Sequence, residues 1–538
     1  MATGEGDKQM YQQDRQDAQR RSVGAGVAAG AVAAIVATVG MLASGIVTGG
    51  LTLAEVLAEG IGGVTPIALI EIMVIKFGSA AKHSLFAATI VGIVAAGAAL
   101  GGLTAQRRWT PAQLLGVVVG ACLVVGLAVL PALGAGVLGL GSRGGASVAV
   151  SLVLTAALFL ATYVALTVGL RSAAAAARAD GPSRRLFLRR AAIGIGGLAI
   201  GGGLLRWAEE RITPGLRAAM QDGGTPPPAD NDRLLQALND GVPGLPPEIT
   251  PNDKFYVVSK NVIRDPDIDA QRWRLQVRGL VDQPTTLTYQ ELRRLPSFNQ
   301  YLTLQCISNE IGGDLISTAD WRGVALGDLL RRAGVRGNAV DVVLKSEDGY
   351  TDSIPIEKAL QTDTMLAYEM NGEALPKNHG YPVRLLVPDI YGMKNVKWVT
   401  EIEVVDYDFK GYWMVRGWSD VAIMNTTSRI DAPRQGATLR GGANYIGGVA
   451  VAGQRGIQRV EVSVDDGQTW APATVKPGLG QNTWALWLYE WNAPQGPGPD
   501  ARIMVRATDG RGVVQESTVQ PTLPDGATGY HSITVRRA

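Results

Sequence analysis

Four long apolar runs, near 23–47, 84–105, 112–140 and 147–170, set the first limit on how this 538-residue chain can fold. A helix needs about 20 apolar residues to cross a bilayer, and each run meets that length. A fifth, shorter run covers 191–206. The patch 61–75, IGGVTPIALIEIMVI, contains Pro66 and Glu71 and reads as re-entrant or interfacial. Beyond about residue 207 the composition changes, and ten of the eleven tryptophans lie there. The chain thus divides into a membrane half and a water-soluble half. The expected segments are a cytoplasmic 1–22, a five-helix membrane domain 23–206, a proline-rich linker 207–250, a mixed domain 251–420 and a β-sandwich 421–538.

Orientation follows from the Lys and Arg residues near the span ends. Lys8, Arg15, Arg20 and Arg21 precede the first span. Arg107 and Arg108 lie between the second and third. Arg171, Arg178, Arg184, Arg185, Arg189 and Arg190 lie between the fourth and fifth. With all three groups on the cytoplasmic side, the C-terminal half lies outside. The stretch SRRLFLRR (183–190) also has the pattern of a bacterial twin-arginine export signal, followed by an apolar segment. Phe187 and Leu188 have no role in simple charge anchoring. The spans carry few polar residues, which speaks against a transport path, and small-residue packing accounts for their Gly and Ala content.

The formal net charge of +2 gives no signal for nucleic acid. Two cysteines, Cys122 and Cys306, fall in different halves and show no zinc, CxxC or haem-attachment spacing. The three histidines are His83, His379 and His531. Only His83 lies near the spans, so this chain alone does not supply two axial histidines to a haem there.

In the soluble half, WRLQVRGLV (273–281) alternates as a strand. LTYQELRRL (287–295), with Thr288 as cap, and LGDLLRRAG (326–334) have helical spacing. DVVLKS and YPVRLLVP read as buried strands. From about 425, short strands and Asp-Gly turns such as Asp466-Gly467 indicate a β-sandwich of immunoglobulin type.

Two stretches carry chemistry. YLTLQ delivers Cys306 to a loop of Ser, Asn and Gly, where a thiolate can bind a soft metal; a buried structural cysteine is the competing reading. In LPKNHGYPVRLLVPDIYGMKNVKW, His379, Arg384, Lys394 and Lys397 can hold an anion; the competing reading is a solvated basic loop.

These two stretches together resemble the sulfite oxidase family of molybdenum–molybdopterin enzymes. FYVVSKNVIRDPDIDAQRWRLQVRGLV and MLAYEMNGEALP extend the similarity, which covers roughly 250–538 and none of the membrane half. The resemblance implies that Cys306 ligates molybdenum. It implies pterin and phosphate contacts from His379, Arg384, Asn395, Val396 and Lys397, from Ser259, Lys260 and Asn261, and from Ser346 and Asp348. It implies a pocket tryptophan at Trp321 and a dimer-forming sandwich. The family's catalytic tyrosine position carries Trp418, with Arg416 and Tyr412 nearby. The loop after the cysteine reads Ile307-Ser308-Asn309-Glu310-Ile311, without the anion-binding arginine of sulfite oxidases, so the expected substrate is a small molecule other than sulfite. No haem or iron–sulfur motif appears, so a separate quinone or cytochrome is the expected electron partner. The expectation is a membrane-anchored molybdopterin oxidoreductase of a bacterial cell membrane, facing outward. The alternative is a non-enzymatic binding ectodomain on a helical anchor.

Overall fold

The structure is a computed structural model; it describes residues 4–48, 50–65, 80–140, 145–176, 231–261 and 264–538. SRRLFLRR, the fifth expected span and most of 61–75 lie outside the described residues. Two compact units are present, 1–220 with 261–263, and 221–260 with 264–538.

The first unit is helical: α1 (Gly4–Thr48), α2 (Leu53–Val64), α3 (Ala80–Arg107), α4 (Pro111–Val124) and α5 (Gly145–Ala176). Within and beyond these, Ser22–Thr48, Ser84–Arg107, Pro111–Ala132 and Gly145–Gly169 are long and apolar enough to cross a membrane. A π-helical turn, Val125–Val129, carries α4 on toward Ala132. Helices α1 and α3 meet through two GxxxG pairs. A Cβ on Gly30 would lie 2.2 Å from the Gly97 carbonyl, and one on Gly101 equally close to that of Gly26. Only glycine allows so close a backbone approach. Helix α2 is short because it begins at a buried capping box, in which Thr52 N–H donates to Glu55 at 2.6 Å. Ser151 accepts from Leu53 N–H at 2.8 Å, so the bundle interior is more polar than the apolar runs indicate.

The second unit begins with α6 (Asn231–Asp240). It lies inside the expected proline-rich linker 207–250, between its two proline-rich stretches. Leu234 and Leu238, four apart, bury one face against the core, and Arg233 pairs with Glu490 of the sandwich.

A five-stranded sheet follows in the order β2-β1-β10-β5-β6: β1 (Arg274–Gly279), β2 (Thr285–Thr288), β5 (Asp341–Ser346), β6 (Thr351–Pro355) and β10 (Val399–Val405). Strand β1 pairs in parallel with β10. Helix α7 (Tyr289–Arg294) starts at Thr288 in a capping box with Glu291, at the expected residue. A second sheet runs β3-β4-β7-β8, with β9 on β7: β3 (Phe298–Gln305), β4 (Ile316–Ala325), β7 (Met365–Met370), β8 (Glu373–Ala374) and β9 (Arg384–Leu386). Helix α8 (Leu326–Ala333) links β4 to the first sheet and ends at Gly334 in the left-handed conformation.

Residues 427–537 form two facing sheets. One is β11 (Thr427–Ala432), β13 (Gly442–Val451), β17 (Ala485–Ala493) and β16 (Thr474–Lys476). The other is β12 (Thr438–Leu439), β19 (His531–Arg537), β18 (Gly498–Asp509), β14 (Ile457–Ser463) and β15 (Ala471–Pro472). Ile446 and Trp487 from one sheet pack with Val460, Ile503 and Val535 from the other, which makes this a β-sandwich. The turn at Asp466 and Gly467 has positive φ at both residues, as the Asp-Gly signal requires.

Candidate functional site

Strand β3 has an exposed start and a buried end, and it hands the chain to a loop at Cys306. The thiol is buried and unbridged, and its Sγ lies 3.0 Å from Ser308 Oγ. The backbone fixes the loop: Cys306 N–H donates to the Leu315 carbonyl at 2.9 Å, and Asn309 Oδ1 accepts from Leu315 N–H at the same length. The sandwich supports it from behind. Arg429 donates to the Gly313 carbonyl at 2.7 Å, and Thr303 accepts from Trp484 N–H at 2.8 Å. Ile311 packs toward Gly529, and Glu310 and Ile311 line a cavity of about 30 Å³ bounded by Arg429 and Gln515.

Arg384, on β9, is fully buried. It donates to the His379 carbonyl at 3.0 Å and to that of Asn395 at 3.4 Å. Its Nε is buried without a partner, and among the described residues no carboxylate pairs with it. Burial pushes its pKa down to about 10. An unmatched buried cation is costly, so this position is suited to an anion. Gly380, at φ +114, lets the elements converge, because a Cβ there would lie 3.0 Å from Arg384 Cβ and 3.1 Å from Lys397 Cβ. Lys397 donates to the Asn378 carbonyl at 2.9 Å and stacks over Trp398 at 4.2 Å. Its own carbonyl accepts from Ser346 Oγ at 2.6 Å, which ties the end of β5 to the same cluster.

Buried His379 donates from Nε2 to the Asn252 carbonyl at 3.0 Å, leaving Nδ1 as an acceptor. Burial and the Arg384 charge push its pKa down to about 4. His531, whose Nδ1 accepts from Ile430 N–H at 3.0 Å, is also pushed down to about 4 by burial and Arg429. Both are neutral in the folded chain, against an unfolded value of about 6.5. The unfolded chain therefore binds more protons between these values. Stability is full above about pH 6.5 and falls as pH drops toward 4, by roughly 2–3 kcal/mol for each histidine. Thermal midpoints of the full chain across this range check the slope, and His531→Gln should make it shallower.

Ser259 donates to Asp265 at 2.6 Å, and Lys260 lies 3.9 Å from Asp348. Asn261 is buried and falls with the first unit. Asn395 and Val396 turn their side chains inward. Asn395 Oδ1 accepts from Val387 N–H at 2.7 Å, and Val396 sits in the main core. They offer a ligand backbone only, because their side chains hold the turn together. Trp321, expected to line a pocket, is fully buried. Its indole N–H donates to the Leu302 carbonyl, and its ring lies 5.1 Å beneath Arg384. It is a floor for that cation. Trp418 is half-buried against the main core.

The groups that sequence reasoning missed are phenols. Burial raises the pKa values of Tyr256, Tyr350 and Tyr391, and negative charge at Cys306 adds to the rise in each. The Arg384 charge acts on Tyr256 in the opposite sense, and the Tyr256 hydroxyl abuts Gly392. Its position directly after Phe255 in an apolar stretch concealed this.

Family models match in two places: the oxidoreductase molybdopterin binding domain over 262–413 and the Mo-co oxidoreductase dimerisation domain over 419–536. Sulfite oxidase of Arabidopsis thaliana is 30% identical over 331 residues, 51% of this chain and 83% of that protein. The chain belongs to the sulfite oxidase family of molybdopterin oxidoreductases. Mitochondrial sulfite oxidase of Rattus norvegicus is 32% identical over 373 residues, 58% of this chain. The chain spans 66% of that relative's length and 58% of the human one's. A crystal structure of the sulfane dehydrogenase SoxCD from Paracoccus pantotrophus aligns with 25% identity and a TM-score of 0.48, covering 54% of this chain and 81% of that one. Membership of this oxidoreductase family removes the alternative of a cofactor-free binding ectodomain.

Proposed function

We propose that this protein is a membrane-anchored molybdopterin oxidoreductase that moves an oxygen atom to or from a small substrate in a two-electron reaction. The observation that carries the reading is a buried guanidinium, Arg384, with an orphan Nε and no carboxylate partner among the described residues, in the same unit as a buried thiol, Cys306. These donors suit a molybdenum–pterin: a soft thiolate for the metal and a buried cation for the phosphate. When bound, the group supplies oxygen-atom exchange coupled to two electrons. Cys306 would ligate the metal. Arg384, His379, Lys397 and the Ser346–Asp348 turn would hold the pterin and its phosphate, with Ser259 and Lys260 as further contacts.

The loop after Cys306 carries Glu310 and Ile311 and no arginine, and Arg416 stacks 3.7 Å over Tyr412. This favours a small hydrogen-bonding substrate over sulfite. The electrons would pass to a separate quinone or cytochrome. The sandwich, which we assign to the immunoglobulin-like type, would join two copies. Purified wild-type protein should contain molybdenum and pterin. Cys306→Ser should keep the pterin, lose the thiolate-to-molybdenum absorption and reduce turnover of sulfoxide or N-oxide substrates to background. Well-expressed wild-type protein without molybdenum and pterin would sink the proposal.

The sequence of SRRLFLRR supports export of the loaded domain by the twin-arginine route, to the outer side of a bacterial membrane, after the first four spans have inserted. Replacing Arg184 and Arg185 with lysines should leave the C-terminal half protected from external protease. If it stays accessible, the arginines are only a cytoplasmic anchor.

A further inference from the structure

We infer that Tyr350, Asp352, Lys394 and Asp420 form a proton relay between solvent and the Ser346–Asp348 turn that would hold the pterin. This rests on the functional reading above, since a two-electron oxygen-atom transfer takes up or releases protons at the cofactor site. The groups are hydrogen-bonded from Tyr350 to Lys394, with the Met393 carbonyl as a second acceptor for the Tyr350 hydroxyl, and an ion pair joins Lys394 to Asp420. Tyr350 Oη donates to Asp352 Oδ2 at 2.7 Å. Asp352 Oδ1 lies 3.0 Å from Lys394 Nζ, and these two side chains are 1% and 2% exposed. Lys394 Nζ lies 3.7 Å from Asp420 Oδ1, and Asp420 is 44% exposed. There Asp420 pairs with Lys410, which also donates to Asp408 at 2.6 Å. The inner end shares its turn with Ser346 and Asp348, and Tyr350 N–H donates to Asp348 Oδ1 at 2.9 Å.

A buried ion pair is weak as a source of stability, because desolvation offsets most of the attraction. Here the pair joins a phenol at that turn to a carboxylate in water. Burial raises the proton affinity of Asp352, while Lys394 and Tyr350 hold it down, so the carboxylate can accept a proton and give it up again. Outward transfer balances as a concerted shift. Lys394 gives a proton to Asp420 and takes one from Asp352; Asp352 takes the phenol proton, and Tyr350 takes one from the inner side. Every O–H or N–H bond broken is matched by one formed, and Asp420 releases the net proton to water. Inward transfer is the reverse. The charged and titratable groups facing the relay are Cys306 and Asp348 at Tyr350, and Lys410 and Asp408 at Asp420.

The test is film voltammetry of the full-length, molybdenum-loaded protein from pH 5 to 9, with Tyr350→Phe, Asp352→Asn and the surface pair Asp408→Asn/Asp420→Asn. The reductive and oxidative waves should separate at scan rates at least about tenfold lower than in wild type, with a larger solvent deuterium effect. Slow-scan midpoint and molybdenum content should not change. The surface pair keeps the test sound if Asp352→Asn folds poorly. Unaltered scan-rate dependence in Tyr350→Phe and in the surface pair overturns the relay. A lowered melting temperature with unchanged waves also overturns it, as a purely structural role. A wild-type protein with no molybdenum wave overturns the functional reading instead.

Discussion

An Arg384→Gln protein is expected to fold but to retain pterin about a hundredfold less tightly than wild type, as read by pterin fluorescence released on dilution. A charge-assisted hydrogen bond contributes roughly 3 kcal/mol, which corresponds to a change of that size. In the unaltered chain the guanidinium donates to the His379 and Asn395 carbonyls and still has a buried N–H to offer. Glutamine can serve one carbonyl and brings no charge. Arg384→Lys should fall between the two, because a point charge does not reproduce the planar fork. Equal retention in all three proteins would make Arg384 only a brace between two turns.

Lys394→Met is expected to lower the stability of the soluble half by about 3–5 kcal/mol, since it leaves the Asp352 carboxylate buried without its cation. The double change Asp352→Leu/Lys394→Met removes both charges and should recover most of the loss. Tryptophan fluorescence in denaturant is a fitting probe, because ten of the eleven tryptophans lie beyond residue 206. Recovery of stability without recovery of fast proton exchange would separate the pair's structural effect from its relay function. If Lys394→Met changes stability by less than about 1 kcal/mol, the pair is open to water and the argument from burial fails.

Much of the architecture was legible from local pattern. Apolar run length identified four helices long enough to span. The Thr288 cap, the alternation in Arg274–Gly279 and the turn at Asp466-Gly467 all correspond to observed elements, since each is decided by residues a few positions apart. The helix at 231–240 falls inside the expected linker 207–250. Pro-rich flanks masked a ten-residue helix whose Leu234 and Leu238 face matters only once there is a core to cover.

By itself the sequence determined the division into an apolar helical half and a more charged half, the thiol at the end of a strand and the basic cluster from His379 to Lys397. Span length, strand alternation and motif order are properties of neighbours along the chain. Tertiary structure alone decided that Arg384 is buried with an orphan Nε, that Trp321 is a floor under it, that Tyr350 meets Asp352, and that Asp352 meets Lys394. These facts depend on strands far apart in sequence closing on one another. Burial then turns an ordinary arginine, lysine or tyrosine into a group whose charge or proton must be answered by whatever stands opposite.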